Sequence, residues 1–435
     1  MKSTIDDLPL PAEDHASDRT GLTPKATWLL ALCILIAAIA VRIFPSAGFT
    51  GMGFDEALYR DYVIKLDKAG LGNYPLLCQL YLEDQRRPEE MAKLPPTRFL
   101  YIFTSWLWKR AEFGDAPPVK PGTPGLVAKD PALLSLHRVA CLFSILGIAA
   151  AGLCAYRMLG PAAMLGVLAL FGFTPAQIHM GQHALIDGFF AFWATMCLWM
   201  LWENLRHPND ARRLAGLGVC LALMVMTKEN SFFVFVALAG LVVANRWAKF
   251  GTVTPRLIEV GIAGPLIGVC LLLVLAGGVA PFMEIYRLLV SKAQTLTYAI
   301  KTGDGPWHRY LVDMLIVSPL VLLLAIGGAF TQLKKDRAYV YLALFVAFTY
   351  AFMCNVRYAM NLRYATIWDL PLCALALGQL GDMTSFCGKR QKIVVTLLVV
   401  ALCGYGLRQY LLFFSDFGLY ELVTGGLLHA VKILK

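Results

Sequence analysis

A chain of 435 residues that is 58% hydrophobic, only 16% charged and +0.61 in mean hydropathy is too apolar for an ordinary soluble domain. It reads as an all-α integral membrane protein. Its formal charge of +10 would suit a nucleic-acid binder, but Lys and Arg recur in short connectors between apolar segments, which argues against that class.

In chain order, residues 1–25 are polar and mixed in charge, predicting a disordered cytosolic tail without the basic start of a cleaved leader. About eleven apolar segments follow, near 26–44, 132–156, 161–178, 184–202, 213–227, 231–247, 257–279, 310–330, 338–354, 364–381 and 393–414. Basic connectors alternate along them: Arg206, Arg212 and Arg213; Arg246, Lys249 and Arg256; Lys334, Lys335 and Arg337; Lys389, Arg390 and Lys392. Cytoplasmic positive charge produces such a rhythm. It puts the N-terminus inside, a large loop 45–131 outside, a polytopic membrane domain over 26–414, and a short outer tail at 415–435.

Within the loop, "FDEALYRDYVIKLDKAG" places Phe54, Leu58, Tyr62 and Leu66 four residues apart, predicting an amphipathic surface helix. Asp55 is its candidate cap, and Leu58 three positions on denies that start a capping box. "PPTRFLYIFTSWLWKRAEFG" predicts a second surface helix, and "DAPPVKPGTPG" an irregular connector. Most of the eleven cysteines lie in apolar segments, so only Cys78 and Cys354 could meet outside. No CxxC, His-rich run or repeat of about 20–50 residues is present.

Sorted by expected side, the polar residues at segment ends crowd the outer one: Asp55, Glu56, His137, Arg138, His179, Gln182, His183, Asp187, Lys228, Glu229, Arg309, Asp313, Arg357, Arg363 and Asp369. A charge in lipid costs at least about 2.5 kcal/mol, so these predict one wet cavity in the outer leaflet. Plainer roles stay open for each. Asp55 and Asp187 could cap helices, and Glu56 could pair with Arg60. Lys228 could snorkel or pair with Glu229, Arg357 and Arg363 could anchor the interface, and Trp106, Trp108 and Trp307 could form an aromatic belt.

Six stretches carry a family resemblance: "GFDEALY", "KLPPTRFLYIF", "GQHALIDGFFAFWATMCLW", "MTKENSFFV", "GDGPWHRYLVDMLIVSPLVLLL" and "NLRYATIWDLPLCALALG". In this order the chain resembles the GT-C superfamily of polytopic glycosyltransferases, in the branch of lipopolysaccharide-core and lipid A sugar transferases and their protein mannosyltransferase relatives. The resemblance implies loop helices roofing a cavity, and inverting sugar transfer from a polyprenyl-phosphate donor at the outer face of the plasma membrane. The acceptor would be a hydroxyl of lipopolysaccharide or lipid A, another glycolipid, or a protein. It implies Asp55 as the catalytic acid position with Glu56 beside it. Arg138, Lys228 and Arg363 are then the cations for the donor phosphate, and His183, Asp187, Tyr59, Arg357 and Trp307 substrate contacts. Thr97, Arg98 and His308 depart from the family pattern, which leaves acceptor contacts there open. The residues announce no particular cofactor; a divalent metal, to which Asp187 could add an oxygen ligand, stays open behind metal-free catalysis. With no large soluble domain after the last segment, oligosaccharyl transfer to Asn is not expected. The rival readings are a transporter or flippase of a lipid-linked sugar and a noncatalytic scaffold.

Overall fold

The structure, a computed structural model, describes residues 23–44, 52–120, 122–357 and 360–433. Of the tail expected over residues 1–25, residues 1–22 lie outside the described residues while Pro24 and Lys25 already belong to the first helix; the start of the outer loop, 45–51, also lies outside them. Those described form helices and no strands. After α1 (Pro24–Ile43), the loop holds α2 (Phe54–Ala69), α3 (Tyr74–Gln85), α4 (Phe99–Phe113) and α5 (Leu126–Lys129). A bundle follows: α6 (Pro131–Leu159), α7 (Pro161–Gly172), α8 (Pro175–Gln182), α9 (Ile186–Arg206), α10 (Ala211–Val225), α11 (Ser231–Ala248) and α12 (Pro255–Ala276). Then come α13 (Val279–Thr295), α14 (Thr297–Gly303), α15 (Arg309–Val317), α16 (Pro319–Thr331) and α17 (Arg337–Met353). A 3-10 turn, Leu362–Trp368, leads into α18 (Asp369–Met383), α19 (Gln391–Tyr410) and α20 (Thr424–Ala430).

Proline punctuates this order. Pro24, Pro131, Pro161, Pro175, Pro255 and Pro319 sit at helix starts, where a missing N–H breaks no bond. At Pro175 the chain bends by 61° between α7 and α8. Every apolar segment expected from the sequence falls on helix. By length and composition, however, among the described residues only α1, α6, α11, α12 and the run Ser385–Asp416 are each sufficient to cross a membrane, and a sixth span results if α7 and α8 are taken together. Most of the others are short or broken: α10 and α18 have 15 residues each, and Ser318–Pro319 divides α15 from α16, whereas α9 has 21 residues but carries Asp187, Glu203 and Arg206.

Two buried apolar clusters organise the chain. The larger joins α1, α7, α9, α10, α11, α16, α17 and α18. Small residues let these helices approach: a Cβ on Gly328 of α16 would lie 2.3 Å from the Leu375 carbonyl of α18. The smaller lies beneath the loop helices, where Tyr59, Leu66, Tyr74, Leu77, Tyr81 and Tyr101 meet Leu133, Leu136, Phe189 and Leu272. The roof is thus fastened by a core of its own, and the Leu100 amide adds a hydrogen bond of 3.0 Å to the Met226 carbonyl after α10. Both predicted loop helices are present, and α3, which the sequence did not predict, packs on α12 and α13.

The start of α2 differs from expectation. Gly53, extended at φ −70° and ψ 163°, is the cap, so Asp55 and Glu56 become the second and third helical residues. The Glu56 carboxylate accepts the Gly53 N–H at 2.7 Å. Asp55 is therefore not the cap, and Glu56 does not pair with Arg60, which donates to Asp130 at 2.6 Å instead. All eleven cysteines are free, Cys78 and Cys354 included.

Candidate active site

Five chain segments converge where α2 meets the bundle. Arg363, buried in the 3-10 turn before α18, is the hub. Its Nη2 donates to Asp55 Oδ2 at 2.7 Å, its Nε stands 3.3 Å from Asp187 Oδ2, and its Nη1 stands 3.2 Å from Glu421 Oε1. Asp187, at the head of α9, also forms a buried ion pair with Lys228, in the turn between α10 and α11. The Lys228 ammonium lies 3.8 Å from the centroid of the Tyr364 ring, a cation–π contact. Burial pushes the Lys228 ammonium below its usual pKa, against the pull of Asp187. Asp55 is 7% exposed, turned inward under the loop helices.

Beside this hub, Glu56 clasps α2 to the joint between α8 and α9. It is fully buried, and its Oε1 accepts the Ala184 N–H at 2.8 Å with His183 Nδ1 at 3.2 Å. His137 Nδ1 lies 2.9 Å from the Gln182 carbonyl and so carries the proton there, leaving Nε2 facing Glu56 at 3.7 Å. Burial alone would raise the Glu56 pKa. The His183 hydrogen bond, the His137 and His183 charges and the Gly53 amide overcome it, holding the carboxyl below its usual range.

On the other flank Arg98 pairs with Glu229 through two nitrogens, one at 3.1 Å, and donates to the Tyr59 hydroxyl at 2.7 Å. This ties the start of α4 to the turn holding Lys228. Arg98, noted in the sequence only as a departure, is thus structural in its contacts.

The structure brings together Asp55, Glu56, Tyr59, His183, Asp187, Lys228 and Arg363. Other expected site residues stand elsewhere. Arg138 is 41% exposed in its side chain, pairs with Glu112 of α4 and lies over Phe113. Arg357 is 70% exposed and pairs with Asp304 at 2.9 Å, while Trp307, 61% exposed, lines the same surface hollow of about 620 Å³. Sequence reasoning missed Glu421, Asn361 and Tyr420. Asn361 donates to Glu421 at 2.6 Å, and the Tyr420 carbonyl accepts from His179 Nε2 at 2.9 Å. The Tyr420 ring lies against Gly53, where a Cβ would come within 2.0 Å of it, so only glycine fits at the cap of α2. The one signal pointing to Glu421 was a carboxylate just beyond the last apolar segment.

Among the described residues no three His, Cys, Asp or Glu side chains converge to hold a metal. Arg363 and Lys228 lie between the carboxylates that could have done so, and these residues do not fit a resident ion. The arrangement sets the Asp55 carboxylate beside the guanidinium of Arg363, with the Lys228 ammonium reached through Asp187.

Comparison with known proteins follows this geometry. Residues 133–280, from α6 into α13, match the family model described as dolichyl-phosphate-mannose-protein mannosyltransferase. No curated protein matches the chain. Among solved structures, two of Archaeoglobus fulgidus oligosaccharyltransferase are similar. One, AglB with an inhibitory peptide and a dolichol-phosphate, has TM-score 0.52 and 13% identity over 89% of this chain and 56% of that one. The other, a complex with Zn and sulfate, has TM-score 0.55 and 12% identity over 88% of this chain and 52% of that one. Apo ArnT from Cupriavidus metallidurans matches at TM-score 0.49 and 14% identity, over 87% of this chain and 63% of that one. The chain therefore spans less than two thirds of the length of each of these relatives. It is a multi-pass membrane protein that shares the fold of these oligosaccharyltransferase structures, and its stretch 133–280 matches the mannosyltransferase family model.

Proposed function

We propose that this protein is an inverting glycosyltransferase that moves a sugar from a polyprenyl-phosphate donor to a hydroxyl of an envelope acceptor, at the outer face of the plasma membrane. The acceptor is lipopolysaccharide or lipid A, another glycolipid, or a protein, and the sugar a hexose or pentose. The observation that carries the reading is the buried contact of Asp55 with Arg363 at 2.7 Å, one residue pair away from Lys228. A lipid-linked phosphate sits at headgroup depth while its prenyl tail stays in lipid, so the groups that serve it belong at the ends of spans. The similarity in fold to a protein solved with a dolichol-phosphate supports that donor class.

In this reading the acceptor oxygen attacks the anomeric carbon and forms the new C–O bond. The bond from that carbon to the phosphate oxygen breaks, and its electron pair leaves with the polyprenyl phosphate. Asp55 takes the proton of the acceptor hydroxyl. The departing phosphate is a weak base, so no second carboxylic acid has to protonate it, unlike the leaving group in glycoside hydrolysis. Arg363 and Lys228 stabilise its growing charge. Glu56, with both oxygens occupied by amides, positions α2 and thereby Asp55. Tyr59, His183 and Asp187 border the same cluster, through Arg98, Glu56 and Arg363 respectively. The cytoplasmic N-terminus and the outer position of 45–131 and 415–435 belong to this proposal.

The test is reconstitution in proteoliposomes with polyprenyl-phosphate hexoses and pentoses and each acceptor class, read by mass spectrometry for product and by NMR for anomeric configuration. A glycosylated acceptor of inverted configuration is expected. Movement of intact donor across the bilayer with no new glycosidic bond would favour a flippase and defeat the proposal.

A further inference from the structure

We propose that the Glu421 carboxylate stands in for the donor phosphate on Arg363, holding the Nη1 edge of the guanidinium in the free protein and giving it up when a prenyl phosphodiester binds. The inference rests on the transferase reading and adds a residue that sets donor affinity.

It starts from charge. The cluster holds Arg98, Lys228 and Arg363 against Asp55, Asp187, Glu229 and Glu421, each cation already matched with a carboxylate. With every group ionised these carboxylates outnumber the cations by one, so an incoming phosphodiester meets net repulsion unless an acid yields. Of the three carboxylates on Arg363, Glu421 is the one placed to yield; Glu229, 27% exposed, is held by Arg98 instead. The Glu421 side chain is 23% exposed, against 10% for Asp55 and 3% for Asp187. It sits in the non-helical connector before α20, whereas Asp55 and Asp187 are fixed in the first turns of α2 and α9. Its approach to Nη1 at 3.2 Å is an ion pair without hydrogen-bond geometry, and among the described residues Arg363 Nη1 has no hydrogen-bond partner. That N–H is a donor waiting for an oxygen.

The backbone around Glu421 can stay put while the side chain turns. His179 holds the Tyr420 carbonyl, and the Leu362 amide donates to the Leu422 carbonyl at 3.1 Å. Asn361 Nδ2 holds Oε2 at 2.6 Å and is the bond that the exchange breaks. Proton uptake assists: burial raises the Glu421 pKa, Arg363 opposes this and Asp55 adds to it. The groups facing Glu421 are Arg363 from the 3-10 turn and Asn361 that caps it, Asp55 from α2, Asp187 from α9 and Tyr298 from α14.

The experiment is equilibrium binding of a prenyl methyl phosphodiester to the full chain in detergent, a probe whose single charge does not titrate between about pH 5 and 8. Glu421→Gln, which removes the charge and keeps an oxygen for Asn361, is expected to bind at least about tenfold more tightly than wild type at pH 8. Wild type is expected to tighten as the pH falls toward 5, and the variant to change less. Equal or weaker binding by Glu421→Gln at pH 8 overturns the inference. If that variant does not fold, a wild-type affinity that is flat or weakens on acidification overturns it as well. Wild type that transfers sugar while Glu421→Gln shows no tightening defeats this inference alone. Wild type that binds no prenyl phosphodiester at any pH defeats the transferase reading with it.

Discussion

Replacing Glu56 probes the clasp on which the geometry of Asp55 depends. Its side chain is fully buried and accepts from the Gly53 amide at 2.7 Å and the Ala184 amide at 2.8 Å, with His183 at 3.2 Å. Glu56→Ala orphans both amides. An unsatisfied buried donor costs about 1–3 kcal/mol, so the loss should be about 2–6 kcal/mol, a large share of the stability of a typical domain. Glu56→Gln keeps one oxygen and should lose about 1–3 kcal/mol. The carboxyl is depressed in the folded state, so its contribution is full above the unfolded value of about 4.3 and is lost as pH falls through the lower folded value. The gap between wild type and Glu56→Gln should therefore narrow only below about pH 4. Unfolding in detergent, followed by the fluorescence of the nine tryptophans, reads both effects. Glu56→Ala within about 0.5 kcal/mol of wild type, or a gap that persists unchanged at about pH 2, would refute the clasp.

Three further outcomes follow from the contacts. Lys228→Met leaves Asp187 buried with only Arg363 for charge and should destabilise by about 3–5 kcal/mol in thermal unfolding; the added change Asp187→Leu should recover part of it. Gly53→Ala drives a methyl into the Tyr420 ring and should cost about 1–3 kcal/mol and slow transfer, with Tyr420→Ala in the same chain relieving the stability loss. Arg138→Ala touches only a partly exposed pair with Glu112 and the face of Phe113, so unfolding should shift by less than about 1 kcal/mol and sugar transfer should continue at the wild-type rate.

Apolar runs and proline starts are local signals, and the helices of the bundle were legible from them. So were α2 and α4, whose aromatic stripes are long enough to repeat. In α3, Leu77, Cys78, Tyr81 and Leu82 form the buried face, but 12 residues with polar ends gave too short a pattern against the surrounding loop. In α13 only Ile285 is buried, and a helix with so little core face leaves little trace in sequence. The residues of the site were legible by type and depth: Asp55, Asp187, Lys228 and Arg363 all sit at segment ends. Their pairing was not. Glu229 meets Arg98 rather than Lys228, and Glu421 reaches Arg363 from beyond the last apolar segment. Arg138 follows His137 in the chain, yet neighbours on a helix point about 100° apart, so His137 faces Glu56 while Arg138 faces Glu112. Such partners are fixed by packing between distant segments, which periodicity does not encode.

The most direct measurement is single-turnover sugar transfer by Asp55→Asn in proteoliposomes, beside its unfolding midpoint. The amide oxygen can still accept from Arg363 Nη2, so the fold should survive while the base is gone. The account predicts a rate lower by about 10²–10⁴ in a folded protein. Transfer at the wild-type rate by the folded variant would contradict it.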